Sequence, residues 1–373
     1  MIPITKPELP PIEEYTNLLA EVWSSRMLSN FGPLAQRLER MTTGYLGVES
    51  RVVVSGDIGL TLTIAALGIP KGAACLVPSF TFNSTINAVL WNGLHPVFVD
   101  IDPETFNMDA VDAQRAATEL GGIRLVVATH VFGNPADADA LSAVAGEFGA
   151  RLIFDAAHGY GAIRDGVHVG GFGDAEVFSL SGTKPVTTAE GGIVSTRDPG
   201  LLEAIRLLRG YGFYGDYNSK LIGLNGKMSE LHAALGLLTM RRVDDALAVR
   251  DGHVRRYRSL LAGVPGLRYQ SVRPQDRSTY KDFALLFDSE AARDAAEAML
   301  SAQDIQTKRY FKPCHRMDAF RPFRTRELPV TDAIHSRLLC VPLFEALTDG
   351  QIETICATIR LALEPSVAGS RGA

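Results

Sequence analysis

The feature that most constrains the fold of this chain is a regular alternation between residues 50 and 200, where short apolar runs alternate with segments of helical periodicity. The apolar runs are RVVVSG, AACLVPSF, HPVFVDID, RLVVATHVFG, ARLIFDAAH, AEVFSLSG and GGIVSTRD, and helical segments such as LTLTIAALGI and NSTINAVLWNG separate several of them. Strands that are apolar throughout are typical of a parallel sheet that is buried on both faces. The pattern therefore predicts an α/β fold with a mostly parallel sheet between helices.

The pattern changes after residue 200, and 373 residues exceed what a single core usually needs. A long helical stretch, SELHAALGLLTMRRVDDALAVRDGHVRRYRSLLAG, precedes a region that mixes short strands, YKDFALLF and IQTKRYF, with helices. We therefore predict two units. Residues 1–240 form an N-terminal arm and a large domain, and residues 241–373 form a smaller α+β domain that includes the linking helix.

Charge and composition exclude several classes of protein. The formal net charge is −5 and no basic run is long enough to follow a phosphate backbone, so no nucleic-acid partner is expected. No apolar run reaches the roughly 20 residues that cross a bilayer, and the first residues lack the apolar core of a signal peptide. We expect no membrane association and a cytoplasmic location. The four cysteines have no metal-binding spacing and are expected to be reduced, packed thiols, with no metal site.

One lysine lies where its charge is poorly solvated. Lys184 follows a predicted strand in FSLSGTKPVTTAEGG and has no charged neighbour until Glu190. Desolvation lowers the pKa of a lysine, and the neutral amine can form a Schiff base with an aldehyde. The alternative is a lysine at a strand–loop junction whose ammonium is in water.

An acid ends another predicted strand. Asp155, in IFDAAHGYGA, follows three apolar residues, and the carboxyl ends of strands are where doubly wound sheets bind ligands. A carboxylate there can keep a pyridinium nitrogen protonated, as pyridoxal phosphate requires. The alternative for Asp155 is to cap the following helix.

A third stretch, VVVSGDIGLTLTIAAL, joins a strand to a helix through a turn of small residues. The backbone amides of Asp57 and Ile58 would lie at the N-terminus of the helix, which is a favourable place for a phosphate. An acidic side chain beside a phosphate is repulsive, so we expect Asp57 to point away or to cap the helix.

The chain resembles the fold-type I, pyridoxal-phosphate-dependent aminotransferases, because the small-residue turn, Asp155 and Lys184 occur in the same order. The chain looks most like the DegT/DnrJ/EryC1/StrS family of nucleotide-sugar aminotransferases, over nearly its whole length. The motifs that carry the resemblance are LSNFGPLAQRLE, VPSFTFNSTINAVLWNGLHPVFVDIDPETFNMD, THVFGNPADADAL, FDAAHGYGA, SLSGTKPVTTAEGG and LNGKMSELHAALGL. The resemblance implies a large domain with a mixed, mostly parallel sheet, a smaller C-terminal α+β domain, and pyridoxal 5′-phosphate as cofactor.

The resemblance also implies a role for each matched residue. Lys184 would bind the cofactor covalently and, once released, carry the proton in catalysis, and Asp155 would pair with the pyridine nitrogen. The other implied contacts are Phe82 on the ring face, His158 beside the phenolic oxygen, Ser179 with the turn of Gly56, Asp57 and Ile58 at the phosphate, and Asn225 at the phosphate of a neighbouring subunit. A homodimer with shared active sites follows from the last contact.

The substrate is inferred from the same resemblance. FDAAHGYG, LNGKMSE and RYFKPCHRMDAFR look most like enzymes that use L-glutamate to aminate C4 of a dTDP-4-keto-6-deoxyhexose, in deoxyamino-sugar and antibiotic biosynthesis. Relatives that act as dehydratases carry histidine in place of Lys184, so the lysine favours amino transfer. The residues expected at the substrate are Ser181, Lys227, Tyr310 and His315, the last two in a loop from Lys308 to Arg316.

Two departures from the family pattern keep alternatives open. Ser181 replaces a frequent histidine, and Asp57 replaces a frequent threonine in the phosphate turn. They leave a non-catalytic cofactor-binding partner or regulator as an alternative. A C3 aminotransferase of a 3-keto-6-deoxyhexose is a further alternative, because only the resemblance of the loop disfavours it.

Overall fold

A computed structural model of the chain describes residues 1–215 and 217–364. Its strands are β1 (Ser50–Val53), β2 (Ala74–Pro78), β3 (His95–Val99), β4 (Leu125–Thr129), β5 (Arg151–Asp155), β6 (Ile163–Arg164), β7 (Val167–His168), β8 (Ala175–Ser179), β9 (Gly192–Ser195), β10 (Leu267–Tyr269), β11 (Phe283–Phe287) and β12 (Leu338–Val341). Its α-helices are α1 (Ile12–Ser25), α2 (Pro33–Leu46), α3 (Gly56–Ala66), α4 (Asn83–Trp91), α5 (Ala110–Glu119), α6 (Ala138–Glu147), α7 (Pro199–Leu208), α8 (Glu230–Met240), α9 (Val243–Leu260), α10 (Glu290–Ala302), α11 (Pro329–Arg337) and α12 (Asp349–Leu363).

The largest sheet has the strand order β1-β9-β8-β5-β4-β2-β3. The pairs β2–β3, β2–β4, β4–β5 and β5–β8 are parallel, whereas β9 runs antiparallel to both β8 and β1. The predicted α/β class with a mixed, mostly parallel sheet is confirmed. The carboxyl ends of β5 and β8 lie side by side, because these strands are parallel neighbours.

The central strands are buried on both faces by helices. In β8, Val177 packs in a cluster with side chains of α3, α4 and α7, while the next residue, Phe178, packs with α2 and α8. Successive side chains of a strand point to opposite faces, so both faces of β8 are covered. This explains why the strand sequences are apolar throughout rather than alternating.

A second sheet, antiparallel and in the order β10-β11-β12, belongs to the C-terminal part of the chain. Its core includes side chains from α9, α10 and α12. Two predictions about this part are wrong in detail: the long helical stretch is interrupted between α8 and α9, and IQTKRYF makes only isolated bridges, including Lys308 with Cys340. Apolar periodicity does not reveal a break in a helix, and β-branched residues occur in extended loops as well as in strands.

The division of the chain at residue 240 stays a prediction. It falls in the turn between α8 and α9, but residues of the N-terminal arm reach the other part, since Ile2 pairs with Ile305. Residues 365–373 of the predicted second unit lie outside the described residues.

The four cysteines are buried free thiols, as the sequence predicts. Among the helices of the described ranges, none is both long and apolar enough to cross a membrane.

Candidate active site

A cavity of about 350 Å³ opens at the carboxyl ends of β5 and β8. Asp155 is the last residue of β5, Ser179 is the last residue of β8, and α3 begins beside them at Gly56. The predicted site residues that line this one cavity are Gly56, Asp57, Phe82, Asp155, His158, Ser179, Ser181, Lys184 and Tyr310. The fold therefore brings together residues from widely separated parts of the chain.

Lys184 lies in the loop that follows β8, where its backbone amide donates a 3.0 Å hydrogen bond to the carbonyl oxygen of Ser181. Burial and the positive charge of Lys281 lower the pKa of its amine to about 7. A substantial fraction of the amine is therefore neutral near physiological pH, and only the neutral amine is nucleophilic. The alternative, an ammonium fully in water, does not fit this environment.

Asp155 is only 4% exposed, and both of its carboxylate oxygens accept hydrogen bonds. Thr85 Oγ1 donates to Oδ2 at 2.6 Å, and the backbone amide of Ala157 donates to Oδ1 at 3.1 Å. Burial raises the pKa of Asp155, while these two hydrogen bonds and the charge of Lys184 act in the opposite direction. A turn rather than a helix follows β5, so the alternative role of Asp155 as a helix cap is wrong.

The N-terminus of α3 packs closely against the end of β8. A Cβ atom on Gly56 would lie 3.1 Å from Cβ of Ser179, so a larger residue here would push the helix away from the strand. Ser55 Oγ caps α3 by accepting a 3.2 Å hydrogen bond from the amide of Ile58. In this structure the Ile58 amide, which we predict at a phosphate, is therefore engaged by a side chain.

One of the two options for the Asp57 side chain is wrong. Ser55, not Asp57, caps the helix, and Asp57 is an exposed residue at the cavity. Burial raises the pKa of Asp57, and the nearby charge of Asp155 adds to the effect. The sequence could not predict this, because it shows two possible caps, Ser55 and Asp57, and only the direction in which the chain enters the helix selects between them.

Aromatic rings form the other walls of the cavity. Phe82, the residue before α4, is 59% exposed, a large fraction for an apolar ring. The ring of His158 stacks against Phe311 with a centroid distance of 6.1 Å, and its Nδ1 atom is buried without a hydrogen-bond partner among the described residues. Burial lowers the pKa of His158 well below its usual value, so the ring is neutral at physiological pH.

Four predicted residues do not line the cavity of their own chain, namely Ile58, Asn225, Lys227 and His315. Asn225 is exposed, and the ammonium of Lys227 lies 4.0 Å from the ring centroid of Tyr211. A role for either residue at an active site therefore requires a neighbouring subunit. His315 is 1% exposed and does not line the cavity, so its predicted contact with the sugar is wrong for this structure.

His315 is buried because its ring is held on both sides. Ser79 Oγ lies 2.7 Å from Nδ1, and Asp332 Oδ1 lies 3.2 Å from Nε2. A sequence motif shows that a histidine is present but not which way its ring turns.

Several residues of the site lie in motifs that we quote but are not predicted individually. Ser84, Thr183, Glu190 and Lys308 line the cavity, and Thr85 contacts Asp155 directly. Lys281 and Asp282 form a buried ion pair of 3.0 Å that acts on the pKa of Lys184. The only indication of this pair in the sequence is two adjacent charges before the apolar run FALLF.

The arrangement fits pyridoxal 5′-phosphate. A partly neutral amine and a buried carboxylate line one cavity, as a covalent attachment point and a partner for a pyridinium nitrogen require. The beginning of α3 and Ser179 lie at the same cavity, where backbone amides and a hydroxyl can bind a phosphate. The unpartnered Nδ1 of His158 offers a polar group at the cavity wall.

Several known proteins are similar to this chain over nearly its whole length. The model of the DegT/DnrJ/EryC1/StrS aminotransferase family matches residues 11–360. A dTDP-4-amino-4,6-dideoxy-D-glucose transaminase of Shigella dysenteriae is 34% identical over 364 residues, covering 96% of this chain and 98% of the relative. A GDP-perosamine synthase of Vibrio cholerae is 29% identical over 369 residues, covering 96% and 98%. The solved structure of DesI in the presence of its TDP-sugar product has a TM-score of 0.91 at 34% identity, covering 97% of this chain and 93% of that chain.

Proposed function

Because this chain belongs to the DegT/DnrJ/EryC1/StrS aminotransferase family, we propose that it transfers the amino group of L-glutamate to C4 of dTDP-4-keto-6-deoxy-D-glucose. The product would be the dTDP-linked 4-amino-4,6-dideoxy sugar. The observation that carries the proposal is the pairing of Lys184 and Asp155 in one cavity of a chain that is similar, over its whole length, to a transaminase of that sugar.

Pyridoxal 5′-phosphate is the cofactor of this aminotransferase. When bound, it supplies an electron sink that stabilises negative charge at the carbon that gains or loses the amino group. The protein contributes binding, orientation and proton transfer.

Lys184 holds the cofactor and moves the proton in this proposal. The pKa of its amine is lower than that of an ordinary lysine. A neutral amine would therefore be present near pH 7 to bind the cofactor aldehyde covalently. Once released, the same amine is free to take a proton from one carbon and give it to another, which is general acid–base catalysis. A histidine at this position could not form the covalent attachment.

Asp155 provides the negative charge opposite the ring nitrogen. The carboxylate is buried, so its interaction with a pyridinium would be screened only weakly. Phe82 and His158 would limit the movement of the ring from the cavity walls, and Ser179 with the start of α3 would hold the phosphate. Ser181 and Tyr310 line the same cavity and are proposed to contact the sugar.

The experiment supplies the purified protein and pyridoxal 5′-phosphate with L-glutamate and dTDP-4-keto-6-deoxy-D-glucose. We expect equimolar 2-oxoglutarate and an amino sugar whose nitrogen is bonded to C4, as determined by NMR. Lys184→Ala is the control and should form neither product. Turnover only with the 3-keto isomer would contradict the assignment to C4 and support the C3 alternative.

The nucleotide requires its own test, because one similar relative is a GDP-perosamine synthase. The GDP-linked 4-keto-6-deoxy sugar is therefore compared with the dTDP-linked one at equal concentration. A higher kcat/KM with the GDP sugar would change the proposed nucleotide but not the reaction. Absence of amino transfer from any donor would favour the non-catalytic alternative.

A homodimer with shared sites is also part of the proposal. The segment before Asn225 exposes large apolar and aromatic side chains, namely Tyr211, Tyr214, Tyr217, Leu221 and Ile222. Such a concentration of exposed apolar surface is typical of an interface. Asn225 lies at the end of this segment and away from its own cavity, as a residue that serves a neighbouring site would.

The cytoplasm is the proposed compartment. Four buried free thiols are typical of a reducing environment. A role in antibiotic biosynthesis is proposed only from the resemblance to deoxyamino-sugar enzymes.

A further inference from the structure

A chain of three buried hydroxyl groups ends on Asp155. The Oγ1 atoms of Thr129 and Thr81 are 3.2 Å apart, and those of Thr81 and Thr85 are 2.9 Å apart. Thr85 Oγ1 then donates a 2.6 Å hydrogen bond to Asp155 Oδ2. The three threonines are at most 7% exposed, and the proposed reaction leaves them without a role.

The fold positions this chain across three neighbouring strand ends. Thr129 and Asp155 are register partners at the ends of β4 and β5. Thr81 follows β2, and β2 pairs with β4 on the side opposite to β5. Thr85 lies in the first turn of α4. Thr129 and Thr85 are therefore carried by a strand and a helix, and Thr81 lies in the short connection between β2 and α4.

The hydrogen bonds of the chain can have only one direction while Asp155 is ionised. A carboxylate only accepts, and each threonine hydroxyl has one proton to donate. Because Thr85 donates to Asp155, it must accept from Thr81 in their contact, and Thr81 must then accept from Thr129. Hydrogen bonds aligned in series polarise one another, so the chain favours the charged form of Asp155.

Protonation of Asp155 on Oδ2 would reverse this arrangement. The acid would become the donor, and the Thr85 hydroxyl would have to rotate its proton away from Oδ2. The second oxygen, Oδ1, is held separately by the backbone amide of Ala157. The two carboxylate oxygens are thus held by different groups, Oδ1 by the backbone and Oδ2 by the threonine chain.

We propose that Thr85, supported by Thr81 and Thr129, is a positioning residue that keeps Asp155 ionised and oriented toward the ring nitrogen of the cofactor. The inference rests on the proposed function, because there Asp155 is the partner of that nitrogen. Thr85 acts through Asp155 and does not line the cavity itself.

The test compares two ligands that differ in one atom. The full chain, stripped of cofactor, is titrated with pyridoxal 5′-phosphate and with 1-deazapyridoxal 5′-phosphate, in which carbon replaces the ring nitrogen. The ratio of the two dissociation constants measures the contact between Asp155 and the nitrogen. General effects on packing cancel, because they alter both constants equally.

Thr85→Val keeps the shape of the side chain but removes the donor, and Thr85→Ser keeps the donor. We expect Thr85→Val to reduce the preference for the natural cofactor by about tenfold, as loss of a hydrogen bond to a charged group does. Thr85→Ser should restore most of the preference. An unchanged ratio in Thr85→Val would overturn the proposal.

Thr81→Val provides a second, independent measurement, because Thr81 does not contact Asp155. We expect a smaller reduction than for Thr85→Val, and a still smaller one for Thr129→Val. An unchanged ratio in Thr81→Val contradicts the series of hydroxyl groups, and this variant decides the question if Thr85→Val does not fold. No sugar is present in these titrations, so failure of the C4 assignment leaves them valid, whereas no cofactor binding by the unmodified chain would refute the proposed function itself.

Discussion

Ser79 and His315 are joined by two hydrogen bonds that connect the end of β2 to the segment after Phe311. Ser79 Oγ lies 2.7 Å from His315 Nδ1, and it accepts a 3.1 Å hydrogen bond from the backbone amide of His315. Asp332 Oδ1 lies 3.2 Å from Nε2 on the other side of the ring without hydrogen-bond geometry, and the tautomer of the ring sets which atom donates in the Ser79–Nδ1 contact. The pair holds the segment that carries Tyr310 against the sheet.

We therefore expect His315→Ala to affect stability rather than substrate binding. Loss of the ring leaves the buried Ser79 hydroxyl without its partner on the imidazole and should lower the free energy of unfolding by about 1–3 kcal/mol. Urea unfolding monitored by circular dichroism measures this, with Arg321→Ala as an exposed control. A large rise in KM for the sugar nucleotide with unchanged stability would instead restore the role at the substrate.

The charge of Lys281 should determine the pH at which the cofactor attaches. The pKa of Lys184 is about 7, so the rate of attachment should rise with pH through that value and then level off. Lys281→Met removes the nearby cation and leaves Asp282 unpaired, and both changes favour the protonated form of Lys184. We expect the midpoint to move upward by about one pH unit.

The absorbance change on adding pyridoxal 5′-phosphate at a series of pH values measures that midpoint. Lys71→Met is the matched control, because Lys71 is exposed and does not line the cavity. A midpoint that stays constant or falls in Lys281→Met would show that burial alone sets the pKa of Lys184.

Asp57 should make cofactor binding depend on pH. Asp57 is among the residues that line the cavity where the phosphate is proposed to bind, and like charges repel. Because the pKa of Asp57 is raised, the carboxylate loses its charge at a higher pH than an ordinary aspartate as the solution becomes more acidic. Repulsion is therefore greatest at high pH and fades at low pH.

We expect Asp57→Thr and Asp57→Asn to bind pyridoxal 5′-phosphate about tenfold more tightly than the unmodified chain at about pH 8, with a smaller difference at about pH 5. Titration by absorbance at both pH values gives the dissociation constants. If both variants bind the cofactor more weakly at the higher pH, Asp57 contributes a favourable contact and the argument from repulsion is wrong.

Asn225 allows the shared site to be tested by mixing subunits. Asn225→Ala should weaken retention of the cofactor, and Lys184→Ala should abolish amino transfer. In a mixed dimer, one site takes Lys184 from the first variant and Asn225 from the second, so it is complete. At a cofactor concentration too low to saturate the Asn225→Ala variant, we expect more activity when the two variants are unfolded and refolded together than the sum of their activities after each is refolded alone.

Size-exclusion chromatography of the refolded mixture measures whether the mixed species is dimeric. Full retention of the cofactor by a monomeric Asn225→Ala variant would rule out a shared phosphate site.

The sheet and the positions of Asp155 and Lys184 could be predicted because the signals for them lie in short segments of the sequence. Burial on both faces is visible as continuous apolar runs, and the residue after such a run lies at a strand end. Asp155 and Ser179, each the last residue of its strand, therefore reach the same edge of the sheet once β5 and β8 pair in parallel, with Asp155 opposite Val177. Lys184 follows β8 by only a few residues and stays near that edge.

Contacts between distant segments could not be predicted in the same way. Ser79 and His315 are 236 positions apart, and Thr85 and Asp155 are 70 positions apart. The family motifs contain these residues, but they do not show that the ring of His315 turns inward or that the hydroxyl of Thr85 meets a carboxylate. Asp57 illustrates the same difficulty over a short distance, since Ser55 takes the cap that either residue could form.

The sequence by itself thus determined the α/β class, the buried strands, and the lysine and the acid at their ends, because periodicity and burial are properties of short segments. The tertiary structure alone decided which side chains face the cavity and which hydrogen-bonded partners support them. These depend on strand order and on the direction in which each segment enters the sheet, and both are settled by packing across the whole core.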